Sequence, residues 1–116
     1  MADIGHLKED QGSFRGKIRT LGMKLAIELH PNEDKRGDGP DFIAYADAGG
    51  DLVAIGGAWK KEVQAAGPNK GSRFLSITLD DPSFNAPLNC AAFPGGDGLP
   101  WAIVWNRPRQ AGREAA

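Results

Sequence analysis

Glycine and proline interrupt this chain so often that long helices have little room between them. Sixteen glycines and eight prolines fall in 116 residues. They gather with Asp, Asn and Ser at intervals of about ten residues, the spacing of short strands joined by tight turns. Between these breaks apolar and polar residues alternate. From Ser13 to Leu21, Phe14, Gly16, Ile18 and Thr20 share one face, and Ser13, Arg15, Lys17 and Arg19 share the other. After Gly22, Met23, Leu25, Ile27 and Leu29 alternate with Lys24, Ala26 and Glu28. These residue types tolerate a helix, but the strict period of two favours a strand. Pro31 ends it, because proline cannot donate to a ladder.

The same reading extends along the chain. Ile4 to Lys8 forms a first strand, followed by a turn over Glu9-Asp10-Gln11-Gly12. A polar loop spans 31–41, then Phe42 to Ala46 is a short strand and Asp47 to Asp51 a turn. Leu52 to Lys61 follows, with Val53, Ile55 and Trp59 expected on one face. Gly56-Gly57 within it predicts a bulge or the close approach of another backbone. A basic loop over 62–72 leads to Arg73–Leu79, where Leu75, Ile77 and Leu79 point inward and Phe74 outward. A turn at Asp80-Asp81-Pro82-Ser83-Phe84, an extended segment over Pro87–Phe93 and a turn from Pro94 to Gly98 come next. Trp101, Ile103 and Trp105 close the domain on one core face. The expected fold is all-β: one antiparallel meander of about seven or eight short strands, closed into a barrel or folded as a sandwich. The domain spans 1–106, with a polar tail over 107–116.

A hydrophobic share of 41% is that of a globular chain. The formal net charge is −1, so global charge gives no argument for a nucleic-acid partner. The distribution is more informative. Acids sit mostly at turns, whereas Arg15, Lys17, Arg19, Lys24, Lys60, Lys61 and Arg73 sit in or beside strands. Cys90 is alone, which leaves no intramolecular disulfide and fits a reducing compartment. No apolar run reaches membrane-spanning length, and the N-terminus has no apolar signal core. The expectation is a soluble cytoplasmic protein with no membrane association.

Enzymatic motifs are scarce. His6 and His30 lie beside no recognisable nucleophile motif. One Cys and two scattered His do not supply zinc ligands, and Asp80-Asp81 lacks the further oxygens of a calcium loop. GGAWKK lacks the lysine and Ser/Thr spacing of a phosphate loop. No cofactor, metal or catalytic residue is expected.

The blocks IGHLKEDQGSFRGKIRTL, IGGAWKK and LSITLDDPSFNAPLNCAAF resemble the domain of unknown function 736 family, over roughly residues 3–106. That resemblance implies a small bacterial accessory protein, often encoded on plasmids or other mobile elements. It implies no activity and no catalytic residue.

Two function classes remain. The first is nucleic-acid binding, single strands preferred, with Arg15, Lys17, Arg19, Lys60, Lys61, Lys70 and Arg73 on phosphates and Phe74 stacking on a base. The second is a protein-interaction module that docks on a host-defence or transfer component through Trp59, Phe74, Phe84 and the Pro82-Ser83-Phe84 turn. Homo-oligomerisation through an open edge strand is compatible with either. The cations also suit an ordinary solvated face. Clustering of the cations on one face around Phe74 would favour nucleic acid. Scattering, or pairing with Asp80, Asp81 and Glu62, would favour a protein partner.

Overall fold

The computed structural model describes residues 2–63, 67, 71–96 and 98–105. Eight strands follow in chain order: β1 (Ala2–Asp10), β2 (Ser13–Thr20), β3 (Met23–Pro31), β4 (Phe42–Ala48), β5 (Asp51–Glu62), β6 (Arg73–Leu79), β7 (Leu88–Phe93) and β8 (Trp101–Trp105). Each pairs antiparallel with the next, and β8 pairs with β1, so the meander closes into a barrel. Closure gives each strand a neighbour on both sides, although the β2–β3 hairpin pairs only with itself beyond Ile18 and before Ile27.

Tight turns set the registers. At Gln11 and Gly12 the backbone takes φ of 52° and 85°. This left-handed pair matches the twist of the flanking strands and places Asp10 opposite Ser13. Gly49 and Gly50 make the equivalent turn between β4 and β5 at φ of 70° and 102°.

An eight-stranded barrel has an interior that side chains can just fill. Leu7, Ile18, Ile27, Leu29, Ile77, Leu79 and Ile103 are completely enclosed there. At the end holding the 31–41 loop, Phe14 packs edge-on against Phe42 and Trp101, with centroids 5.4 and 5.1 Å apart. Trp101 and Trp105 both rest on the core, as their spacing predicts.

The β5 strand departs from simple alternation. Its register against β4 shifts between Ala44 and Tyr45, which face Gly56 and Ala54, so Ile55 is the extra residue of a bulge. Beyond Ile55 every side chain changes face. Trp59, expected inside with Val53 and Ile55, lies opposite the outward Ser76, and Lys60 lies opposite the buried Leu75. Gly56 is also the site of a close approach. A Cβ there would stand 1.9 Å from the Thr78 carbonyl oxygen.

Candidate nucleic-acid interface

The β2 strand carries Arg15, Lys17 and Arg19 outward on alternate positions, about 7 Å apart along the strand. Its core-facing residues Phe14 and Ile18 are buried, and these three cations are exposed. The neighbouring strands extend the basic surface. Lys8 of β1 stands directly opposite Arg15. Lys24 of β3 stands directly opposite Arg19. His6 stands opposite Lys17. Directly opposed side chains in an antiparallel pair have Cβ atoms about 5 Å apart, and like charges there repel.

One carboxylate relieves part of this surface. Glu28 forms an ion pair with Arg15 Nε at 3.7 Å and lies 2.9 Å from His30 Nε2. The His30 ring meets Tyr45 of β4 edge-on at 5.5 Å. Lys8, Lys17, Arg19 and Lys24 have no ion-pair partner among the described residues. Two shallow clefts flank the stripe. One, of about 540 Å³, is lined by His6, Lys8, Arg15 and His30 and by the acids Glu9, Asp10 and Glu28. The other, of about 310 Å³, is lined by Asp3, His6, Lys17 and Arg19. The arrangement places cations at phosphate-like spacing beside imidazole and phenol rings.

The remaining predicted residues lie elsewhere. β6 is four strands from β2 in a ring of eight and β5 three, so Arg73, Lys60 and Lys61 lie away from the β2 stripe. Lys60, Lys61, Glu62 and Arg73 line a depression of about 360 Å³ at one barrel end. The Lys60 ammonium sits 5.7 Å over the Phe42 ring, an attraction that holds it at the rim. Arg73 stands opposite Glu62, and Lys61 opposite Phe74. Phe74 faces outward as expected, but its ring stacks on Phe93 at 5.2 Å with an interplanar angle of 22°. The single basic face around Phe74 is therefore not formed. The β5 bulge and the barrel's closure separate the two sets. Lys70 lies outside the described residues.

Of the acids expected as rivals for these cations, Glu62 does stand opposite Arg73, whereas Asp81 is engaged within its own turn. Asp81 accepts hydrogen bonds from the backbone and hydroxyl of Ser83, which hold its carboxyl below the usual range. Asp41 accepts from Lys35 Nζ at 2.6 Å and from the Lys60 backbone N–H at 2.8 Å. The Lys35 hydrogen bond, then that from Lys60, holds the Asp41 carboxyl below its ordinary value. Trp59 donates its indole N–H to the Asp38 carbonyl at 2.9 Å, and with Asp41 it pins the 31–41 loop to β5. Phe84 packs against the core. Neither ring is a free contact.

Sequence reasoning missed Lys8, His6, Lys24, His30 and Tyr45 as members of the β2 surface. The signal for the first three was present. A two-residue turn fixes cross-strand partners by counting outward from it, and both flanking turns have two residues.

Neither a curated protein nor a solved structure matches the chain. A family model, described as protein of unknown function (DUF736), matches residues 3–108, and the chain belongs to that family.

Proposed function

We propose that this chain binds single-stranded nucleic acid along the outer face of β1, β2 and β3. One observation carries the reading: cations stand directly opposite cations, Lys8 against Arg15 and Arg19 against Lys24. Such pairs destabilise a sheet when alone, and a chain of phosphates laid across them turns the repulsion into attraction. The spacing along β2 is close to that of successive phosphates in an extended strand. The flanking clefts, with His6 and His30, and Tyr45 against the His30 ring, give unpaired bases ring surfaces to meet. In this reading the protein is a non-enzymatic, cytoplasmic accessory factor of a bacterial mobile element.

The test is fluorescence anisotropy with labelled single-stranded and duplex oligonucleotides over a salt series. Each phosphate contact on a single strand contributes about 0.7 to the slope of log affinity against log salt. Engagement of Lys8, Arg15, Lys17, Arg19 and Lys24 predicts a slope of about −3.5. Replacing Lys17, Arg19 and Lys24 by Ala should flatten it, while replacing Lys60, Lys61 and Arg73 by Ala should leave it nearly unchanged. Absence of binding at low salt refutes the proposal.

A second reading has its own support, because the cations expected around Phe74 are divided between two sides of the barrel and Arg73 faces Glu62. The outer face of β6, β7 and β8 carries the stacked Phe74–Phe93 pair beside half-buried Ala91, Ala102 and Val104. This stretch has little charge and suits a protein partner. Loss of partner capture in Phe74→Ser, with nucleic-acid binding intact, would favour it.

A further inference from the structure

The β2–β3 hairpin runs past both of its neighbours. The last pairing of β2 with β1 is Ile18 with Gly5, and the first of β3 with β4 is Ile27 with Ala46. Residues 19–26 therefore form a two-stranded ribbon with no third strand on either side. One face of it is anchored up to the turn, because Met23 and Leu25 pack against the core. The turn itself is open. Leu21 is fully exposed there, with Arg19 and Lys24 as an opposed pair one step behind Thr20 and Met23.

A lone exposed leucine is ordinary on a protein surface. This one ends a basic stripe, on the stretch of hairpin that pairs with no third strand. Resting on the proposed binding to single-stranded nucleic acid, we infer that Leu21 is an apolar wedge. Arg19, Lys24 and Lys17 hold phosphates, and the Leu21 side chain enters between two adjacent bases. Proteins that bind the DNA minor groove insert Leu, Ile, Met, Phe and Pro between the stacked base steps of a duplex. A single strand opposes the step less than a duplex, since no base pair is disturbed. Insertion removes the leucine from water, which is the source of its contribution.

The experiment uses the whole chain and an oligoadenylate carrying one 2-aminopurine, whose fluorescence rises when its neighbours unstack. Wild type should raise the fluorescence on binding. Leu21→Ser should abolish the rise and weaken binding by about tenfold, with the salt slope unchanged because every cation remains. Leu21→Trp should restore binding, and its own emission should be quenched by the bases. The substituted side chain lies in solvent, and matching circular dichroism spectra will verify folding. Unchanged affinity and fluorescence rise in Leu21→Ser overturn the wedge and leave the binding surface standing. Absence of wild-type binding at low salt overturns both. Sedimentation with phosphatidylserine vesicles that requires Leu21, without any 2-aminopurine response, overturns the wedge in favour of a lipid surface.

Discussion

Replacing Lys24 by Glu should stabilise the fold and weaken its binding to polyanions at the same time. Lys24 faces Arg19 directly, and Lys17 lies on the diagonal of the same pair. In a sheet, directly opposed charges contribute about 0.2–1 kcal/mol, unfavourable when alike and favourable when opposite. Lys24→Glu exchanges one for the other. Both side chains reach solvent, where ion pairs are weak, so the net gain belongs near the low end, at about 0.5–1 kcal/mol. For a domain of this size that raises Tm by about 2–6 °C. Lys and Glu are similarly disfavoured in strands, so propensity contributes little to the difference. Lys24→Gln removes the repulsion without adding attraction and should give about half the gain. The gain should fade with salt, because the screening length falls from about 10 Å at 0.1 M to about 3 Å at 1 M. Binding should move the other way, losing one phosphate contact and about 0.7 of the salt slope. The assay is differential scanning calorimetry at low and high salt, paired with anisotropy on the same proteins. A Tm that is unchanged or lower at low salt would show that the Arg19–Lys24 repulsion does not exist. A higher Tm with undiminished binding would show that the repulsive pair is not the polyanion site.

Other consequences follow from particular contacts. Gly56→Ala places a methyl group against the Thr78 carbonyl and should cost about 3 kcal/mol or more, whereas Gly22→Ala, with nothing within 4 Å of the added carbon, should change the urea midpoint little. The Asp41 carboxyl is held below its ordinary value of 3.8 by Lys35 and the Lys60 backbone. Its contribution is therefore present above pH 3.8 and is lost as pH falls through the lower folded-state value. The stability gap between wild type and Asp41→Asn should be present at pH 7 and vanish in strong acid, as read by thermal melts. Burial pushes the Cys90 thiol up to about 12, so Ellman's reagent should label it only when denaturant opens the barrel. Rapid labelling of the native protein would show that β7 opens locally.

The strands were legible in the sequence because each is short and bracketed by turn chemistry. Arg73–Leu79 is found at its expected limits, and the other strands differ by a few residues at their ends. Barrel and sandwich could not be separated, because the pairing of β1 with β8 joins the two ends of the chain and no local pattern encodes it. The division of the cations has a more specific cause. Between Ser13 and Pro31 no bulge interrupts the β2–β3 ladder, so counting by twos assigns every side chain to the correct face. Arg15, Lys17 and Arg19 accordingly stay together. In β5, Gly56-Gly57 signalled an irregularity, but the extra residue is Ile55, and from there the count is off by one. That single residue sends Trp59 outward to the Asp38 carbonyl and brings Lys60 over Phe42. Strand order then sets β6 four places from β2, so that no rotation of side chains could bring Arg73 to Arg15. A basic surface assembled across adjacent hairpins depends only on local register, whereas one assembled across a barrel depends on every bulge in between. The first kind was legible here, and it is the kind on which Lys8, Arg15, Arg19 and Lys24 oppose one another.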